Sequence, residues 1–268
     1  MKVKYLLAPA AGFALWRAYI IVKLTGEATG FLPRGSVMGW LFMLSMLFVC
    51  ALLYFPAWKR APGADLEGDG ALLTGPAFQG AMLLAAAGLA MSAALALRDS
   101  FRGSLLYAAV TAAAALSLLL LVPAAAGRRT ARPGTDGYLA LVLVAWGVIA
   151  LLCVFLSNNT VTSIPENTLS LLSAAALLAA LFSGAKLRVN MATAGGYLRI
   201  ASVAALVGTA AELPGLLLRV AGFADRFVSK SMPVDFAVFF MLPVIWASLF
   251  AVEKHAAASE PLEAGEQS

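Results

Sequence analysis

Histidine is almost missing from this chain of 268 residues, which has only His255, close to its C-terminal end. Zinc sites need several His or Cys at ligand spacing, and the two cysteines, Cys50 and Cys153, stand apart in long apolar runs. A free cysteine in such a run packs as a small hydrophobe. No metal or other cofactor is implied, and a zinc protease helix or an imidazole base lacks its residues. The nucleophile elbow Gly-x-Ser-x-Gly is also missing, as is a Gly-rich phosphate loop with its Lys, so serine hydrolases and nucleotide-driven motors lose their machinery too. The expectation is a protein that is not an enzyme.

Charge is the second scarcity. Only 12% of residues are charged and 62% are hydrophobic, against about 25% and roughly 45–50% in an ordinary globular domain. The apolar surplus excludes a disordered chain. Glycine and proline follow no triplet period, and the flanking charges of a heptad repeat are missing, so collagen-like and coiled-coil folds fail as well. The net charge of +5 does not mark a nucleic-acid partner, because Lys and Arg fall in short clusters between apolar runs. Loops facing an anionic leaflet look like this, so the expected partner is the lipid bilayer.

What the chain does have is long apolar runs. A helix needs about 20 apolar residues to cross roughly 30 Å of hydrocarbon. Eight segments qualify, at 5–24, 37–56, 77–97, 104–126, 138–156, 167–185, 196–220 and 234–252. This predicts an all-α fold, a polytopic transmembrane helical bundle of about eight spans with short loops. Residues 1–255 form its one domain, and 256–268 a disordered acidic tail with Glu260, Glu263 and Glu266. The opening Met1-Lys2-Val3-Lys4 imitates a signal peptide, but the apolar run resumes after Arg17 as Ala18-Tyr19-Ile20-Ile21-Val22. An uncleaved first span is the expectation.

With the N-terminus inside, the inner loops hold Lys2, Lys4, Lys59, Arg60, Arg128, Arg129, Arg132, Lys186, Arg188 and Lys254. The outer ones hold Lys23, Arg34, Arg98, Arg102, Arg219, Arg226 and Lys230. The sharpest contrast sets Arg128, Arg129 and Arg132 against the loop 157–167, which has no basic residue. The positive-inside bias thus predicts a multi-pass plasma-membrane protein with both termini cytoplasmic, and Arg128, Arg129 and Arg132 at lipid headgroups.

Small residues form stripes. Ala81, Ala85, Gly88, Ser92 and Ala96 share one helical face in the third span, and Ala108, Thr111, Ala112 and Ala115 do so in the fourth. Such faces let membrane helices approach closely, either within one chain or in a homo- or hetero-oligomer.

Few ionisable residues fall inside the spans, where they are expensive and usually functional. Glu212 stands out in Gly208-Thr209-Ala210-Ala211-Glu212-Leu213-Pro214-Gly215. Pro214 cannot donate a hydrogen bond to the Ala210 carbonyl, which predicts a kink and a free acceptor beside an acid. Cation and proton sites are built this way, and so are structural ion pairs. Arg17 is the natural counter-charge, since it and Glu212 differ by only ~3 Å in depth at 1.5 Å per residue. Arg219, seven residues after Glu212, is the second candidate partner, although both it and Arg199 sit near span ends where long side chains snorkel. Asp65-Leu66-Glu67-Gly68-Asp69-Gly70 imitates half a calcium loop, but Pro76 occupies the position of the bidentate Glu, so a solvated acidic loop is expected. Asn158-Asn159-Thr160 matches a glycosylation pattern by chance.

The segment Leu15-Trp16-Arg17 followed by Gly26-Glu27-Ala28-Thr29-Gly30-Phe31-Leu32-Pro33-Arg34-Gly35 resembles the N-terminal layout of a group of polytopic membrane proteins of anaerobic gut Clostridia. In those, a Pro-Gly pair stands where Arg34 here separates Pro33 from Gly35. The resemblance implies a bacterial plasma membrane and no activity. Two roles stay open: transport of a small ion or molecule through a polar site at the seventh helix, or a non-catalytic sensor or assembly subunit engaging partner helices or lipids.

Overall fold

The computed structural model describes residues 3–24, 36–54, 73–99, 104–127, 132–158, 164–222 and 232–265. A 3-10 turn at Val3–Leu6 leads into α1 (Leu7–Lys23), followed by α2 (Val37–Tyr54), α3 (Pro76–Asp99), α4 (Ser104–Ala125), α5 (Pro133–Asn158), α6 (Ile164–Arg188), α7 (Ala194–Val220) and α8 (Met232–Gly265). Among the described residues, eight helices are long and apolar enough to cross a bilayer. The protein is an all-α, multi-pass membrane bundle in contact with lipid. Helices are the solution because each satisfies its own backbone polar groups where no water can.

Local chemistry moves several boundaries from those read in the apolar runs. α5 begins at Pro133, a residue suited to a first helical turn, and the Asp136 carboxylate accepts the Arg132 N–H at 3.0 Å. α6 runs on to Arg188 and closes in a Schellman turn. There the Met191 N–H donates to the Lys186 carbonyl at 2.8 Å and the Asn190 N–H to that of Leu187 at 3.3 Å, with Asn190 at φ 60°, a conformation its short polar side chain tolerates. Thr193 caps α7 by accepting the Gly196 N–H at 3.2 Å. α8 has 34 residues, about 50 Å at 1.5 Å per residue, and continues to Gly265 through most of the stretch read as a disordered tail. That stretch is rich in Ala and Glu, good helix formers. His255 stands on this helix, its Nε2 3.2 Å from the Thr74 hydroxyl.

Successive crossings bring Val3, Tyr54, Pro76, Ala125, Pro133, Arg188, Ala194 and His255 to one side, the N-terminal side. Hydrogen bonds join the ends there: the Val3 N–H donates to the Glu253 carboxylate at 3.1 Å, and the Gly75 N–H to the Ala125 carbonyl at 2.9 Å. On the opposite side the Ser92 hydroxyl donates to the Pro233 carbonyl and lies 3.0 Å from the Tyr107 hydroxyl.

Helices α3 to α8 close a ring, each against the next and α8 back against α3, while α1 packs on α7 from outside and α2 covers α1 and α7. The Phe42 ring of α2 meets those of Phe13 and Trp16 of α1 edge-on, at 5.7 and 5.6 Å between centroids. The other face of α2 exposes Trp40, Leu44, Leu47 and Phe48 to lipid. The α3 stripe Ala81, Ala85, Gly88, Ser92 and Ala96 is buried along its whole length. Phe240 of α8 sits where a Gly88 side chain would begin, and Ser92 reaches α8 and α4. In α4 the inward face is Ala108, Thr111 and Ala115; Ala112, expected with them, points outward.

Candidate functional site

Pro214 lies buried inside α7, and the helix passes through it to Val220 without a break. Two residues earlier, Glu212 is 9% exposed. The surface it keeps belongs to a cavity of about 320 Å³ between α1, α6, α7 and α8, lined by Arg17, Ser170, Ala211, Glu212, Gly215, Leu216, Arg219, Val220, Asp235, Phe236 and Phe239. Val220 ends α7 and is strongly exposed, so the cavity opens at the side opposite the termini and descends into the bundle.

Depth along the helices sorts the charged groups into a rim and a floor. Arg219 is one residue from the end of α7, and Asp235 three residues from the start of α8. They meet across the cavity mouth at 3.8 Å, each about a fifth exposed at 20% and 18%. Gly222, at φ 90°, gives its N–H to the Arg219 carbonyl and turns the chain at once, a conformation glycine adopts freely. Glu212 lies two turns below Arg219, ~10 Å. Arg17, half-buried on α1, reaches the cavity because α1 packs along α7. It stands ~9 Å below the end of its helix, level with Glu212 to within ~3 Å.

Glu212 lies within the fields of Asp235, Arg17 and Arg219 and makes no direct ion pair among the described residues. The Ser173 hydroxyl of α6 is buried beside it, outside hydrogen-bonding geometry. Among the described residues the floor therefore presents one carboxylate and one guanidinium, held on different helices.

The residues singled out in the sequence divide accordingly. Arg17, Glu212 and Arg219 share the cavity. Among the described residues Arg219 does not bind Glu212 directly; it meets Asp235 of α8 instead. Pro214 stays behind the wall, with its neighbours Gly215 and Leu216 on the lining. Arg132 is exposed at the start of α5. Arg128, Arg129, the segments 25–35 and 65–70, and Asn159-Thr160 lie outside the described residues.

Asp235, at the second position of the span read at 234–252, and Phe236 and Phe239 beside it were not among the residues singled out in the sequence. An acid in a first helical turn is the ordinary complement to the helix dipole, and aromatic residues in a span read as core or lipid contact. The usable signal was depth: Arg219 is one residue from the end of α7 and Asp235 three from the start of α8, so the two opposite charges stand near one level, and packing of α7 on α8 makes them neighbours.

A second cavity, of about 50 Å³, lies toward the N-terminal side inside the ring. Its lining includes Phe78, Leu118, Leu143, Arg188, Tyr197, Met241 and Ser248, with the Tyr197 and Ser248 hydroxyls hydrogen-bonded to each other. Between the two cavities α7 and α8 pack tightly. Leu242 occupies the space a Gly208 side chain would need, and the Trp246 indole donates to the Thr209 hydroxyl at 3.0 Å. No protein-family model, curated protein or solved structure matches this chain.

Proposed function

We propose that this membrane protein moves a small polar solute across the bilayer and binds it in the cavity between α1, α6, α7 and α8. The observation that carries the reading is a carboxylate with no direct ion pair among the described residues, and a guanidinium level with it, at the floor of a 320 Å³ cavity, inside hydrocarbon where charges are costly unless they serve a pathway. That volume lies at the lower end for small-molecule sites. The path onward is a thin one. α6, α7 and α8 line both cavities, so a shift in their mutual packing changes access from both sides. The assembly role draws on the small-residue faces, and the α3 face is already covered by α8 and α4.

The test is flux into proteoliposomes loaded with the purified chain. We expect saturable uptake of at least one class among amino acids, small carboxylates and monovalent cations, and loss of that uptake when Leu216→Trp fills the cavity. Uptake no greater than in protein-free vesicles for every class, or flux indifferent to the filled cavity in a variant that elutes normally, overturns the reading.

The proposed orientation places both termini in the cytoplasm of a bacterial plasma membrane, on the charge contrast between Arg128, Arg129 and Arg132 and the loop 157–167, which has no basic residue. A reporter active only outside the cytoplasm should be silent when fused at Arg129 and active at Asn159. The opposite pattern inverts the assignment and puts the cavity mouth on the cytoplasmic face.

A further inference from the structure

We infer that the solute is a small zwitterion: a carboxylate and an ammonium on one short skeleton, carrying an apolar side group. The inference rests on the transport reading and concerns the same cavity.

Among the described residues the lining has two cations and two carboxylates, whose formal charges cancel. Arg219 and Asp235 already face each other at the rim, whereas Arg17 and Glu212 present opposite charges from different helices with no direct ion pair between them. A bare cation drawn to Glu212 meets the field of Arg17, and a bare anion drawn to Arg17 meets that of Glu212. Opposite wall charges thus discriminate against either sign alone. A molecule carrying both signs satisfies both walls at once. Its carboxylate joins the contacts of Arg17, whose guanidinium has five N–H donors and suits carboxylates. Its ammonium donates to the Glu212 carboxylate on the opposite wall. Burying two charges is tolerable only where each finds its partner, and here the ligand and the floor neutralise one another.

The remaining wall reads the rest of the molecule. Phe236 and Phe239 lie one turn apart on α8 and face the cavity. Both are held by Phe240, at 4.6 Å and 5.4 Å between ring centroids, and Phe240 is braced in turn on Gly88 of α3. An aromatic wall so fixed accepts an aliphatic or aromatic side group and offers nothing to a polar one. The volume admits one amino-acid-sized molecule and excludes nucleotides and long peptides.

The experiment compares leucine, leucine amide and N-acetylleucine, with glycine, alanine, phenylalanine and betaine alongside, on the full chain. Binding is read by thermal stabilisation in detergent and transport by labelled uptake into vesicles. At least one zwitterion should bind, and removing either of its charges should weaken binding about tenfold or more, as expected when one member of a buried charge pair is lost. In Glu212→Gln the preference should move toward N-acetylleucine, and in Arg17→Gln toward leucine amide. Equal response to the three leucine derivatives, preference for a singly charged one, or no response to any zwitterion overturns the inference on the unaltered protein alone. Saturable flux of a simple ion in that last case leaves the transport reading standing. Zwitterion binding without flux removes transport and keeps the ligand class.

Discussion

Glu212→Gln lowers saturable uptake by roughly a hundredfold, because truncating one member of a buried charge pair with a ligand costs about 2–5 kcal/mol and each 1.4 kcal/mol is a factor of ten. The substitution keeps the shape of the side chain and removes only its charge. Its diagnostic value lies in comparing two measurements. Glu212 makes no direct ion pair among the described residues, so the folded state loses no close contact, and the thermal midpoint in detergent should stay within a few degrees of the parent. A structural role predicts the opposite pattern: a lowered midpoint from the loss of the attraction between Glu212 and Arg17, with flux among surviving molecules unchanged. That second pattern would dismiss the cavity floor as a solute site.

The second large effect is expected at a residue that touches no solute. In Gly88→Ala the new Cβ falls within the Cβ and Cγ of Phe240. Rotation about χ1 can move the Cγ, but the Cβ is fixed by the α8 backbone and lies only 2.4 Å from the new atom, so α3 and α8 must separate. Overpacking of this kind costs about 1–3 kcal/mol, occasionally more, which for a chain of this size lowers the thermal midpoint by roughly 2–4 °C per kcal/mol. The separation also strains the Ser92 to Pro233 hydrogen bond one turn along the same face. Gly80→Ala is the control on the same helix. Nothing lies within 4 Å of its new Cβ, and replacing a mid-helix glycine by alanine stabilises by about 0.5–1 kcal/mol. Equal midpoints for the two variants would mean that α3 and α8 are not in contact at Gly88. Because Phe240 also holds Phe236 and Phe239, Gly88→Ala should weaken solute binding as well, from outside the cavity.

Helix number, fold class and contact with lipid were legible in the chain before any coordinates, because hydrophobic length is a local property. Twenty apolar residues in a row have one solution in hydrocarbon whatever surrounds them. The inward face of α3 was legible for a similar reason, since small residues at steps of three and four align on one side of a helix. Helix ends were read less well: α5, α6 and α8 extend past their apolar runs through Pro133, the turn at Asn190 and the Ala- and Glu-rich end of α8, where capping and helix propensity act and hydropathy is blind.

The site divides along the same line. Glu212 and Arg17 declared themselves because a charge in a span is rare and depth can be counted in residues. Which carboxylate Arg219 meets, which wall Phe236 and Phe239 form, and that α1 lies against α7 all depend on how helices are arranged around one another. Depth says nothing about azimuth. Two residues level in the membrane can be neighbours or lie on opposite sides of the bundle, and that choice is made by packing between helices distant in sequence.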